Sequence, residues 1–382
     1  MMPRTTTNAT LKSPSRNLLL VGRAASRRTL LLREALERRG IALQVIEWRD
    51  LAVRPSVLAT ALARHHPLAC KIDSPGEDAA TTDRLITLGW QRRGEPGVRP
   101  HPLQHGELSF RHWWYAGFAH VLAGVSQALR GSAPVPPLVN SVDGILAMTD
   151  KWRCQQRLAE AGVPVPPLAG RVVSFDQLES DYPATRWPRL FIKARYGSSA
   201  AGVVALQRRP DGRVSAMSAT RLGPHGRLFN HLRPALYRRR ADIAALVDRL
   251  AAQEAYAEAW ITKPRTPDAA GSHYDLRAVV FGGRVRQRVA RLSRGAVTNL
   301  HLGNARAAPD WLCAGREARM ARAGEQAASA FPACHSIGLD LIVDHRGAHV
   351  LEANAFGDLL PGLCYEGNST YDDQAAWMTA HG

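Results

Sequence analysis

Residues 338–354, GLDLIVDHRGAHVLEAN, constrain this chain more than any other stretch. They read as two apolar strands around a polar His345-Arg346-Gly347 turn. An antiparallel register that sets Val343 opposite His349 also sets Asp340 opposite Glu352, so two carboxylates face each other across the ladder. Side chains alternate with period two, which puts Glu352 and Asn354 on one face. Asp340, Glu352 and Asn354 can therefore converge as three oxygen ligands. Like charges directly opposite are destabilising unless something neutralises them. An all-oxygen donor set suits Mg²⁺, which stays partly hydrated and is commonly shared with substrate phosphates, so the hairpin points to a nucleotide. The plain alternative is a surface hairpin with scattered acidic residues, and the rest of the chain decides between the two.

At 382 residues the chain exceeds one ordinary core, and two or three domains or lobes are expected. No apolar run approaches the roughly 18 residues of a membrane span, and Leu18–Val21 is too short for a signal-peptide core, so a cytoplasmic protein without membrane contact is expected. The cysteines (Cys70, Cys154, Cys313, Cys334, Cys364) are odd in number and widely spaced, fitting neither a disulfide framework nor a zinc site. A net charge of +17 suits phosphate backbones, but the basic residues are spread along the chain with no aromatic-interleaved motif. Nucleic acid is therefore set aside in favour of acidic small molecules, ATP among them. Only five of the 50 Lys+Arg are lysines: Lys12, Lys71, Lys151, Lys193 and Lys263. A lysine kept in an arginine background marks a place where a compact ammonium is wanted, as on a phosphate; Lys151 and Lys193 are the candidates.

In chain order, residues 1–16 hold Thr, Ser, Asn, Pro and basic residues with no acid, and are expected to be disordered. A strand at 17–22, a helix over 26–39 stopped by Gly40 and a strand at 41–48 form a β-α-β opening of a parallel-sheet domain. No G-x-G-x-x-G follows, so a dinucleotide is not indicated. Residues 65–114 show no clear period, and His65, His66, His101, His105 and His112 lack metal spacing. A helix spans 111–130, and the stiff APVPP run at 133–137 marks a boundary near residue 135. Asp150-Lys151 opens a helix that ends at Gly162. The strand 190–193 runs into the small-residue turn 194–204, where Gly and Ser let backbone N–H groups point at phosphate oxygens; an ordinary hairpin loop is the alternative. A basic loop is expected at 221–240, a helix at 241–253, a strand at 255–261, a strand and its return around Gly282-Gly283, and a helix over 315–330.

This order of parts resembles the ATP-grasp superfamily, particularly the branch of ribosomal-protein glutamate ligases, glutathione synthetase and D-alanine ligases. The matching pieces are Asp150-Lys151, the GVPVP run at 162–166, Ile192-Lys193 before the glycine-rich loop, EAWI at 258–261, DLR at 275–277, NLHLG at 299–303, GLDL at 338–341 and LEAN at 351–354. The resemblance covers roughly 138–365. It implies an α/β and α+β architecture: an N-terminal Rossmann-like pre-ATP-grasp domain (17–135), then a two-lobed ATP-grasp fold. Its N-terminal lobe (138–258) carries the basic insertion 221–240, and its C-terminal lobe (259–370) holds the metal site. Carried over by position, Lys151 and Lys193 resemble the phosphate-binding lysines, and Gly197, Ser198, Ser199 and Gly202 the loop closing over the triphosphate. Glu258, Ala259, Trp260 and Ile261 resemble the hinge whose backbone meets adenine. Asp340, Glu352 and Asn354 resemble the ligands of Mg²⁺, two ions being expected, and Arg277 and Arg291 the arginines near the γ-phosphate and acyl group.

Two departures from the family pattern stand out. The metal Asn is commonly followed closely by Pro-Gly, whereas here 354–362 read NAFGDLLPG, with an extra acid at Asp358. The ribose-binding acid expected after the hinge has only Asp268 as a candidate. The expected activity is an ATP-dependent carboxylate–amine ligase working through an acyl phosphate, with an acidic small molecule or peptide as substrate. Phosphoryl transfer needs positioning and charge neutralisation more than a side-chain nucleophile. The alternatives are a phosphotransferase on the same fold and a catalytically silent nucleotide-binding protein.

Overall fold

The computed structural model describes residues 16–76, 78–94, 97–197, 201–267, 271–293 and 305–382. The expected N-terminal tail lies outside them except for Arg16.

Strand β1 (Asn17–Gly22) is a continuous apolar run, as parallel strands covered on both faces tend to be. Helix α1 (Arg27–Glu37) begins where Ser26 Oγ accepts from the Thr29 N–H at 3.1 Å and leads into β2 (Ala42–Glu47). With β3 (Cys70–Ile72) these strands make a parallel sheet of order β2-β1-β3. Helices α2 (Trp48–Val53), α3 (Ser56–His65), α4 (Ala79–Arg93) and α5 (Arg111–Arg130) follow. α5 keeps the expected bounds, whereas α4 occupies a stretch that shows no period. Its buried positions are Thr81, Leu85, Ile86 and Gly89, so half of its inward face carries no large apolar group. Gly89 and Gly117 let α4 and α5 touch backbone to backbone: a Cβ on Gly89 would lie 1.8 Å from the Trp113 carbonyl oxygen, and one on Gly117 1.9 Å from that of Leu85.

Helix α6 (Val142–Thr149) precedes α7 (Lys151–Glu160), whose N-cap Asp150 accepts from the Arg153 N–H at 3.1 Å. An antiparallel sheet follows, built from β4 (Leu168–Val172), β5 (Arg189–Ala194), β6 (Val203–Arg208), β7 (Val214–Leu222), β8 (Leu228–Tyr237) and β9 (Ala255–Ala259), in the order β4-β9-β5-β6-β7-β8. Helices α8 (Phe175–Asp181) and α9 (Arg240–Ala251) cover it, with Phe175, Ile243, Leu246 and Leu250 against Ile192, Val204 and Leu206. The segment 221–240, expected as a basic loop, is mostly strand: β7 and β8 pair from Leu222↔Leu228 to Ala216↔Tyr237. β8 is an edge strand exposed from His231 to Pro234, so it has no buried alternation for a sequence to display.

The third sheet has the order β12-β11-β10-β13-β14. Its strands are β10 (His273–Phe281), β11 (Arg284–Ser293), β12 (Ala305–Ala307), β13 (Ser336–Val343) and β14 (Ala348–Asn354), with α10 (Ala314–Ser329) between β12 and β13. A last helix, α11 (Thr370–Ala380), returns to the first sheet and packs Tyr371, Ala375 and Met378 on Leu18, Leu20, Leu32 and Leu36. Trp48, Phe118 and Leu122 share one core with Ile145, Leu158, Leu276, Leu339 and Val350, while the six-stranded sheet has its own. No helix among the described residues is long and apolar enough to cross a membrane, and all five cysteines are free.

A buried polar seam ties the first sheet to the segment after β14. Asp358 is 1% exposed and pairs with Arg28; it also accepts from Lys71 Nζ at 2.9 Å and from Gln374 Nε2 at 2.8 Å. Burial alone would raise this carboxyl, but Lys71 and Arg28 outweigh it and hold it well below the ordinary carboxylate range. A depressed folded pKa means a contribution fully present at neutral pH and lost as pH falls below about 4 toward the folded value. Asp358→Asn should cost about 3 kcal/mol in urea unfolding at pH 7, with the gap from the unsubstituted protein narrowing as pH drops below about 4. An equal gap at both pH values would disprove the ion-pair account.

Candidate active site

The β13–β14 hairpin departs from the simplest register in an informative way. Val343 pairs with Ala348, Ile342 with His349 and Leu341 with Val350, one residue off the expected Val343–His349 pairing. The turn explains the shift: Asp344 Oδ1 accepts from the N–H groups of Arg346 at 2.7 Å and Gly347 at 3.0 Å, closing a tight 344–347 loop. A bulge at Leu351 then absorbs the extra residue, so that Asp340 does lie opposite Glu352 and Gly338 opposite Asn354. Ala348 and Val350 face the core before the bulge and Ala353 after it, which leaves Glu352 and Asn354 together on the other face.

Cations gather on that face. Arg277 stands opposite Asp340 in the β10–β13 ladder and its Nε lies 2.6 Å from Asp340 Oδ1. Arg291 on β11 bridges two acids, with Nη2 3.1 Å from Asp340 Oδ2 and Nε 2.6 Å from Asp275 Oδ1. Lys263 Nζ lies 2.9 Å from Asp275 Oδ2, Lys151 pairs with Glu352, and Lys193 Nζ is 2.5 Å from Glu258 Oε1. Burial would raise the Asp340 carboxyl, yet Arg277 and Arg291 hold it down to about 2. For Glu258, 1% exposed, burial prevails over Lys193 and its pKa is raised. Five cations thus meet four carboxylates, a balance that leaves attraction for an anion.

The donor chemistry fits the expected metal. Two carboxylates and one amide supply only oxygen, as hard divalent cations require. Among the described residues no group of three His, Cys, Asp or Glu gathers, so Asn354 would have to serve as the third ligand. Its Oδ1 accepts from the Phe356 N–H at 2.8 Å and fixes the turn leaving β14.

The other expected residues divide. Lys193 is the penultimate residue of β5, and Gly202, at φ +70°, closes the loop base: its carbonyl accepts from the Ala194 N–H at 2.7 Å and its N–H donates to Thr220 Oγ1 at 3.0 Å. Gly197 is described; Ser198 and Ser199 lie outside the described residues, as do Asn299, His301, Gly303 and Asp268. Glu258 and Ala259 end β9, which stops short of the expected residue 261, while Trp260 and Ile261 follow it. The Ala259 and Trp260 N–H groups donate to the carbonyls of Pro167 at 2.8 Å and Arg189 at 3.2 Å. Glu258 also brings its side chain to Lys193.

No family model matches the sequence, nor does any curated protein. Solved structures do match, over nearly the whole chain. One is the ATP-grasp ligase PsnB with a phosphomimetic variant of its minimal precursor, Mg and ADP, at 15% identity over 97% of this chain and 99% of that one, TM-score 0.53. D-cycloserine synthetase DcsG matches at 17% identity over 96% and 100%, TM-score 0.52. The D-alanine–D-alanine ligase of Bacillus anthracis complexed with ATP matches at 10% identity over 97% of each chain, TM-score 0.52. The chain has the ATP-grasp fold.

Within that ATP-grasp frame, Lys263 and Asp275 join the cluster although the sequence assigned neither a role, Asp275 entering only as part of the DLR run. The signal for Lys263 was present, since it is one of five lysines. All four described lysines, Lys71, Lys151, Lys193 and Lys263, are paired with carboxylates, at side-chain exposures of 5 to 15%. Arg277 has a second anchor, with Nη1 donating to the Gly357 carbonyl at 3.3 Å. Gly357 can sit there because Gly338 has no side chain: a Cβ on Gly338 would lie 2.4 Å from Gly357 Cα. Gly338→Ala should therefore destabilise the protein by about 2 kcal/mol, seen as a lower midpoint in thermal or urea unfolding. An unchanged midpoint would show that the turn yields freely.

Proposed function

We propose that this protein is a Mg²⁺-dependent ATP-grasp ligase that joins a carboxylate to an amine through an acyl phosphate, forming a carbon–nitrogen bond. The observation carrying this reading is the cross-ladder pair Asp340–Glu352, ringed by Lys151, Arg277 and Arg291 on the expected oxygen-rich face. Asp340, Glu352 and Asn354 would hold the metal, which supplies charge neutralisation on the triphosphate when bound. Lys151 and Lys193 exchange carboxylate partners for phosphate oxygens, as compact ammonium groups do readily. The loop from Gly197 to Gly202 covers the phosphates, and the 258–261 backbone receives adenine. Arg277 and Arg291, fixed by their carboxylates, present the remaining guanidinium N–H groups to the γ-phosphate and the acyl oxygen. The matched PsnB and D-alanine–D-alanine ligase structures, with ADP and ATP bound, support the nucleotide assignment.

In this reading the unit 17–135, with its β2-β1-β3 sheet, is the Rossmann-like pre-ATP-grasp domain, 138–258 and 259–370 are the gripping lobes, and the protein works in the cytoplasm. Glu352→Gln replaces a charged ligand by a near-isostere on an unchanged strand. It should lower turnover by about 100-fold or more with the melting curve retained. Release of phosphate together with an amide, rather than a phosphorylated product, marks ligase over phosphotransferase. Full turnover by the variant would overturn the metal assignment.

The substrate is read as an acidic small molecule or peptide because of the β7–β8 hairpin. Arg240 pairs with Glu179 and lies over the Phe175 ring, so it serves the lobe itself. Arg233 and Arg238 are exposed and have no carboxylate partner among the described residues. β8 lies three strands beyond β5, roughly 14 Å away at about 4.8 Å per strand, which suits an extended substrate better than a small one. With an acceptor found by screening pooled amino acids and peptides, Arg233→Gln/Arg238→Gln should raise acceptor KM and flatten its salt dependence, while KM for ATP holds. Both constants rising together would assign these arginines to the nucleotide or the fold.

A further inference from the structure

The two lysines assigned to phosphate stand on separate elements, Lys151 opening α7 and Lys193 near the end of β5. One side chain bridges them. Arg195, the residue after β5, forks onto the carboxylate of Asp150, with Nε 2.8 Å from Oδ1 and Nη2 2.7 Å from Oδ2. Its third nitrogen, Nη1, reaches Glu254 Oε2 at 2.5 Å. Backbone bonds complete the joint: the Lys151 N–H donates to the Arg195 carbonyl at 3.0 Å, and the Arg195 N–H to the Glu254 carbonyl at 2.9 Å.

Each partner is itself held. Asp150, 2% exposed, also caps α7, so the fork orients the first turn of the helix that begins with Lys151. Glu254 has φ +65°, the left-handed region where glycine is less strained; what glutamate adds at that position is the carboxylate that meets Arg195. Tyr196 stacks on Tyr115 of α5 with ring centroids 4.3 Å apart, and so fixes the chain on the other side of Arg195.

We propose that Arg195, acting through Asp150, is a positioning residue that sets the separation of Lys151 and Lys193 for a triphosphate. This rests on the assignment of both lysines to phosphate. A bidentate guanidinium fixes distance and orientation together, which a single ammonium does not, and Asp150 Oδ1 accepts from both Arg195 Nε and the Arg153 N–H of α7. Loss of the fork frees the first turn of α7 to shift relative to β5. Adenine contacts at 258–261 lie on β9 and beyond, so they persist.

The test separates this from a merely structural ion pair by comparing ligands. Dissociation constants for Mg·ATP and for adenosine are measured by calorimetry on the full chain and on Lys151→Ala, Lys193→Ala, Asp150→Asn, Arg195→Gln, Arg195→Lys and the Asp150→Asn/Arg195→Gln double variant, with melting curves for each. Arg195→Gln and Asp150→Asn should each weaken Mg·ATP about tenfold and leave adenosine within about twofold, and the double variant should be no worse than either single one. Arg195→Lys keeps the charge and the fold but loses the fork, and should show the same selective loss; it decides the matter if Arg195→Gln does not fold. Wild-type ATP affinity in Arg195→Lys, or equal losses for ATP and adenosine, would overturn the inference. If Lys151→Ala and Lys193→Ala both bind ATP normally, the phosphate assignment itself fails and the inference falls with it.

Discussion

Two carboxylates opposite one another on neighbouring strands repel, and the third sheet is arranged around relieving that repulsion. Asp340 and Glu352 receive Arg277 and Arg291 from one side and Lys151 from the other. Arg291 in turn holds Asp275, which Lys263 completes. The result is a chain of alternating charge that runs from Asp340 on β13 through Arg291 on β11 and Asp275 on β10 to Lys263 in the segment entering β10. Charge alternation of this kind fixes side-chain direction without apolar contact.

The charged cluster lies on a seam between two cores. Lys193 and Glu258 belong to the six-stranded sheet, whose apolar residues pack among themselves. Asp340, Glu352 and Lys151 stand on elements whose core is continuous with the N-terminal helices. A site shared by two separately packed bodies needs polar ties across the seam, and the Arg195–Asp150 fork is one of them. Bodies packed on separate cores can shift as units while each keeps its own interior.

The sequence displayed the carboxylate face of the β13–β14 hairpin better than it displayed the fold around it. Period two alone put Glu352 and Asn354 on one face, and the rarity of lysine singled out side chains that turn out to be ion-paired. The hairpin register was misread because a side chain, Asp344, closes the turn and a bulge at Leu351 compensates, and neither leaves a mark on hydrophobic pattern. Helix α4 was hidden by Thr81 and Gly89 on its packing face, and β8 by being an edge strand with exposed residues. The fork of Arg195 joins residues 45 and 59 positions apart, a separation over which local pattern carries no information.

The fate of the lysines has a practical side. The described ones are enclosed and bound to carboxylates, while the exterior takes its strong positive charge from arginine. Amine-acylating labels and lysine-bridging cross-linkers therefore meet ammonium groups that are already engaged, and arginine-directed dicarbonyl reagents are the better probes of this surface. For the same reason, a nucleotide that releases Lys151 or Lys193 from its carboxylate would register as a change in the reactivity of that amine relative to the other described lysines, which stay paired.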